Sequence, residues 1–184
     1  MAHYEKPLSS QRVFTGRVIS LDNDRVLLEN GAEAGREVVR HRGGVCIAAV
    51  DENENILMVS QYRYPVAKEL LELPAGKLEA GEHHYDTGIR ELREETGARA
   101  ERYEPMGSVI PSPGYCDEVI YLYRAEGLTF AETDPDEDEF LTLRKIPLAE
   151  AVEMVLRNEI TDSKSVAGIL KVALLRAREK EASK

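Results

Sequence analysis

The chain has 184 residues, 42% of them hydrophobic, which suits one domain of ordinary size with a small appendage. Its net charge of −10 argues against general nucleic-acid binding, which needs a basic surface. Cys46 and Cys116 form no CxxC or other metal-ligand spacing, the opening Met1 to Pro7 lacks the apolar stretch of a signal peptide, and the longest apolar run, residues 45–50, is too short to span a bilayer; the expectation is a cytoplasmic protein in a reducing compartment with no membrane partner.

Residues 1–40 read as a small antiparallel β unit, separate from a main domain over residues 41–184. Strands are expected at 12–20 and 25–29 around a turn at Asp22-Asn23-Asp24, then at 36–40 after a second turn at Asn30-Gly31. A unit of two or three strands needs something to pack against. Residues 44–50 and 55–62 then read as a hairpin around Asp51-Glu52-Asn53-Glu54, and this begins the main sheet.

The run GKLEAGEHHYDTGIRELREETGA, residues 76–98, carries the chemistry. At about 100° per residue, Tyr85, Ile89, Leu92 and Thr96 share one stripe of a helix, and Glu91, Glu94 and Glu95 gather on a separate, largely opposite face. Like charges three or four residues apart repel by roughly 0.2–0.5 kcal/mol per pair, and a helix built for solubility would interleave lysine. Arg90 reaches Asp86 and Glu94 at helical spacing but cannot neutralise the whole cluster, so a multivalent cation is the natural counter-charge. Oxygen donors suit a hard ion such as magnesium. His83 and His84 at the helix start read as caps or solvent-facing groups, and Gly88 weakens the helix by up to about 1 kcal/mol while allowing close packing.

Beyond the helix, residues 102–110, 118–125 and 140–146 read as strands. Two helices close the chain. Pro147 suits a first helical position ahead of Leu148, Ala151, Val152, Val155 and Leu156. Asp162 or Ser163 caps a second run of Val166, Ile169, Leu170, Ala173 and Leu174, and residues 176–184 read as a frayed end. The class is α/β, a sheet flanked by helices.

The 76–98 run resembles the Nudix box: a glycine, five residues, Glu82, seven residues, then Arg90-Glu91-Leu92-x-Glu94-Glu95-x-Gly97 and a small apolar Ala98. The resemblance implies an α/β/α sandwich with a mixed sheet and metal-dependent hydrolysis of a nucleoside diphosphate linked to another moiety. It implies metal ligation by Glu91 and Glu95, shared or oriented by Glu94, with the backbone carbonyl of Ala75 completing a magnesium site and manganese as the alternative ion. Arg90 is expected to fix a carboxylate rotamer rather than touch substrate, and Glu82 to contact metal or cap the loop.

Segments outside the box look like those of ADP-sugar pyrophosphatases. Gln61-Tyr62-Arg63-Tyr64-Pro65 offers Arg63 for diphosphate binding, and Ser112, Pro113, Gly114 and Glu118 lie in a loop expected to contact substrate. In Asp136-Glu137-Asp138-Glu139-Phe140, the resemblance implies a glutamate that acts as general base on the attacking water or as an extra metal ligand, with Glu139 the first choice and Glu137 the second. Tyr62, Tyr64 and Tyr115 serve either packing or base stacking. The expected activity converts ADP-ribose or a related ADP-sugar to AMP and a sugar phosphate, with a homodimer formed through residues 1–40. The alternatives are another nucleotide sugar such as GDP-mannose, or a Nudix-like module that binds without turnover, against which the intact Glu91, Glu94 and Glu95 argue.

Overall fold

The computed structural model describes residues 3–131 and 140–183. The chain divides into two compact units, one of Met1–Gly43 with Ile110–Val119 and one of Gly44–Val109 with Ile120–Lys184.

In the first unit, β1 (Lys6–Thr15), β2 (Ile19–Leu27) and β3 (Glu33–His41) form an antiparallel sheet in that order. The expected turn at Asp22-Asn23-Asp24 is instead the middle of β2, and the chain reverses at Gly16, whose N–H bonds Ile19 O at 2.9 Å. Cross-strand arginines make the acidic stretch tolerable in a strand. Arg12 and Arg40 both bond the Asp22 carboxylate, and Arg40 reaches Asp24 Oδ2 at 2.7 Å. Those hydrogen bonds, Arg12 first, hold the Asp22 carboxyl below its usual range. The turn at Gly31 has its left-handed φ of 80°. Every residue of β1 is exposed, including Leu8, Val13 and Phe14.

The second unit holds a mixed sheet in the order β7 (Ala75–Lys77), β4 (Gly44–Ala49), β9 (Ile120–Phe130), β8 (Ala98–Val109), where only β4 and β9 run parallel. A second sheet, antiparallel throughout, has β5 (Asn55–Arg63) between β10 (Thr142–Pro147) and β6 (Lys68–Glu72). The helices are α1 (His84–Thr96), α2 (Leu148–Leu156) and α3 (Ser163–Ala182). Alternation along β4 sets the layers. Val45, Ile47 and Ala49 pack in one cluster with Leu92 of α1, while Cys46 and Ala48 pack in another with Ile169 and Val172 of α3. Burying each large aliphatic side chain contributes about 1.5–3 kcal/mol, so β4 between two helices anchors the α/β/α core.

Two expectations for this unit need correction. β4 and β5 are not a paired hairpin: they meet at a single bridge, Val50 with Ile56, and then join different sheets. The loop between them is shaped by Asp51, whose carboxylate accepts the N–H groups of Asn53 and Asn55 at 3.0 and 2.9 Å. The tail does not fray at residue 176, because Arg176 pairs with Glu54 and Glu126 and α3 continues to Ala182. Asp162 rather than Ser163 caps α3, accepting Ser165 N–H at 3.0 Å. Among the described residues no helix is long and apolar enough to cross a membrane.

Candidate active site

β7 and the loop after it deliver the chain to α1. His83 caps the helix through Nδ1, which accepts Tyr85 N–H at 3.2 Å, and Gly97 ends it in the left-handed conformation at φ 69°. His84 stacks on Tyr121 with centroids 3.8 Å apart, and burial pushes its pKa down. The buried face of α1 is Thr87, Gly88, Leu92, Glu95 and Thr96, whereas Tyr85 and Ile89 are exposed. The expected stripe is therefore rotated, and one of the carboxylates points inward.

That carboxylate is Glu95, 6% exposed, whose Oε2 accepts Ala75 N–H at 3.0 Å. Glu91 lies against the same strand. A Cβ built on Gly76 would stand closer than 3.0 Å to its Cγ, Cδ and Oε1, so only glycine leaves room for this carboxylate. Arg90 gathers the rest. It forks onto Glu82 with both distances 3.1 Å and directs Nη1 to Glu94 and Glu91, each at 2.9 Å. The expected reach to Glu94 is made, and Glu82 takes the place expected for Asp86. Glu82 first, against a burial penalty and with help from Glu91 and Glu94, raises the Arg90 pKa well above its ordinary value. Arg90 in turn holds the Glu82 carboxyl below the usual range.

Glu91, Glu94, Glu95 and Ala75 thus stand on two adjoining elements, with oxygen donors of the kind a hard divalent cation takes. Gly76 clears the space in which those donors approach the strand. Among the described residues no three carboxylate, imidazole or thiol groups converge on a metal-sized point, and Glu91 and Glu94 are turned toward Arg90. The donor chemistry fits the ion, and Arg90 is the group against which the carboxylates are set.

Arg63 lies elsewhere in the second unit, forked onto Glu72 at 2.7 and 2.8 Å. Burial would raise the Glu72 carboxyl, but the bonds and charges of Arg63 and Lys164 outweigh it and lower it to about 2. The sequence reading missed Glu72 and Lys164. The signal was one acid in the apolar run Leu70-Leu71-Glu72-Leu73, and one lysine just inside a helix start.

Ser112, Pro113, Gly114 and Glu118 belong to the first unit. Their loop runs along β3, where Val39 N–H bonds Tyr115 O at 2.7 Å and Asp117 N–H bonds Val39 O at 3.1 Å. Glu118 is 3.3 Å from His41 Nδ1. Pro113, Gly114, Tyr115 and Cys116 line a cleft of about 1080 Å³ with Arg36, which pairs with Glu5 at 2.5 Å. Glu137 and Glu139 lie outside the described residues.

The NUDIX domain model matches residues 40–167. The chain belongs to the NUDIX family. Among its relatives, the methanol dehydrogenase activator of Bacillus methanolicus is 44% identical over 167 residues, 90% of each chain. The ADP-ribose pyrophosphatase of Bacillus subtilis (strain 168) is 38% identical over 167 residues, again 90% of each. A crystal structure of an ADP compounds hydrolase superposes with a TM-score of 0.84 over 97% of both chains at 19% identity, a likeness of fold alone.

Proposed function

We propose that this NUDIX protein cleaves the diphosphate of ADP-ribose or a related ADP-sugar to AMP and a sugar phosphate, using magnesium, with manganese as the alternative. The seating of Glu91 against Gly76, beside the Ala75–Glu95 hydrogen bond, carries the reaction class. The ADP-ribose pyrophosphatase relative supports the substrate. Glu91, Glu94, Glu95 and the Ala75 carbonyl would hold the ion. Bound there, a divalent cation offsets the negative charge that shields a diphosphate from hydroxide and makes water more acidic.

The remaining work falls to side chains. Arg90 keeps Glu91 and Glu94 in place against their mutual repulsion, and Arg63 supplies a cation for the diphosphate. Ser112, Pro113, Gly114 and Glu118 contact the sugar. Glu139, or Glu137 in its place, takes the proton of the attacking water. The protein works in the cytoplasm as a homodimer joined through residues 1–40, a reading supported by the apolar Leu8, Val13 and Phe14 exposed on β1.

Nucleoside monophosphate release from ADP-ribose, GDP-mannose and a nucleoside triphosphate, with magnesium and with chelator, tests the activity. A preference for ADP-ribose that vanishes with chelator is expected, and a higher kcat/KM for GDP-mannose overturns the substrate. Light scattering at micromolar concentration gives a dimer mass if the assembly is right. The 44% identity to a methanol dehydrogenase activator favours a second reading, activation of such a dehydrogenase, which is tested by adding the protein to methanol dehydrogenase turnover.

A further inference from the structure

The first turn of α3 and the segment entering the carboxylate loop form a closed circuit of polar contacts. Glu72, with 2% of its side chain exposed, receives Arg63 through both oxygens, at 2.7 Å from Nε and 2.8 Å from Nη2. Its Oε2 also receives Lys164 Nζ, which donates to Asp162 Oδ2 at 2.8 Å. The same Asp162 oxygen accepts the Ser165 N–H at 3.0 Å and the Ser165 hydroxyl at 2.6 Å. Ser165 Oγ then accepts Leu73 N–H at 2.8 Å, across 92 residues of sequence. Consecutive residues of one element therefore hold consecutive residues of another, Lys164 through a side chain and Ser165 through the backbone.

A buried ion pair is a weak source of stability, because desolvation offsets much of the attraction. What this one does is fix position. α3 presses on the segment so closely that a Cβ on Gly168 would overlap Leu73 Cδ1. Downstream, Pro74 O accepts Ile47 N–H at 2.8 Å and Ala75 N–H reaches Glu95 at 3.0 Å, so each residue from 72 to 75 has a fixed partner. Arg63 is aimed by its fork on Glu72. Its Nη1 makes no hydrogen bond among the described residues, and 40% of the side chain is exposed, which leaves one face for an anion.

We propose that Lys164 and Ser165 are positioning residues for diphosphate hydrolysis: Lys164, through Glu72, holds Arg63 for the substrate, and Ser165, through Leu73, holds residues 73–76 against Glu95. The assignment deepens the diphosphatase reading and rests on it.

Three variants test it: Lys164→Met, the double variant Lys164→Met with Glu72→Gln, and Ser165→Ala. Each is measured for thermal stability, steady-state kinetics with ADP-ribose and magnesium, the NMR signal of Arg63 Nε–H, and amide exchange at Leu73 and Ala75. Lys164→Met should raise KM by about 10-fold or more with a smaller change in kcat, as loss of uniform binding does, and should broaden the Arg63 signal. The double variant removes the buried carboxylate charge that has lost one of its two cations, so it should recover stability while keeping the KM defect; it also serves if Lys164→Met does not fold. Ser165→Ala should speed exchange at Leu73 and Ala75 by about 10-fold or more, an opening made easier by roughly 1.4 kcal/mol.

An unchanged KM and Arg63 signal in Lys164→Met, or a KM restored together with stability in the double variant, overturns the Lys164 role. Unchanged Ala75 exchange in Ser165→Ala overturns the Ser165 role. A wild-type protein that leaves ADP-ribose intact overturns the activity instead, and the two NMR measurements still decide the network.

Discussion

The carboxylate of Glu91 occupies the space that a side chain at Gly76 would need. Gly76 is not in a left-handed conformation, so alanine there is refused by Glu91 and not by the backbone. Gly76→Ala should push Glu91 off the strand and leave the fold standing, because the colliding atoms belong to a flexible side chain. The expected outcome is a loss of at least about 100-fold in kcat/KM, near 2.7 kcal/mol of transition-state stabilisation, with little change in melting temperature. Near wild-type turnover would show that the Glu91 position is irrelevant to the chemistry.

Glu95→Gln separates charge from hydrogen bonding at one atom. Glutamine can still accept the Ala75 N–H, so the loop should stay closed and the fold intact. The proposed cation ligand loses its charge, however, and activity should fall by about 100-fold or more even in excess magnesium. Full activity in saturating magnesium would remove Glu95 from the metal set.

Gly88 sets helix propensity against packing. Alanine gains up to about 1 kcal/mol over glycine in a helix interior. Here its Cβ would collide with the Tyr103 hydroxyl, which is buried and, among the described residues, without a hydrogen-bond partner. Overpacking costs about 1–3 kcal/mol, so packing wins and Gly88→Ala should destabilise. Combining it with Tyr103→Phe should recover much of the loss, since the obstructing oxygen is gone. Denaturant melts of both variants check this, and an additive loss in the double variant would mean that the clash is not the cause.

The Gly88 case shows where sequence reading stops. Spacing alone marks the glycine as permissive, and only the fold brings Tyr103 to it from the following strand. Asp22 and Asp24 likewise carry a local turn signal that Arg12 and Arg40 overrule from neighbouring strands. The β4–β5 connection read as a hairpin because strand propensity says nothing about which edge a strand pairs with. The carboxylate helix was legible because its chemistry is written in consecutive residues. The fork of Arg63 on Glu72 and the lock by Lys164 were not, since their members lie 9 and 92 residues apart.

Glu72 also shapes the acid limb of stability. Its folded value of about 2 lies below the ordinary 4.5. The contribution of its ion pairs is therefore complete above pH 4.5 and is lost as pH falls toward 2. Glu72→Gln should be less stable than wild type near neutrality and should show a shallower decline between pH 4.5 and 2.5. Thermal melts across that window decide it. Parallel curves for the two proteins would mean that folding does not lower the Glu72 carboxyl below its ordinary value.

The proton of the attacking water has two candidate acceptors in the acidic segment before Phe140. Glu139→Gln should lower kcat by roughly 10²–10⁴-fold with a smaller effect on KM, the signature of a general base acting in the chemical step. Glu137→Gln should then be nearly silent. The reverse pattern exchanges the two roles. A circular dichroism melt of each variant separates a loss of fold from a loss of chemistry. If both variants keep wild-type kcat, the base is supplied from outside this segment, and the Glu91, Glu94 and Glu95 assignments are unaffected.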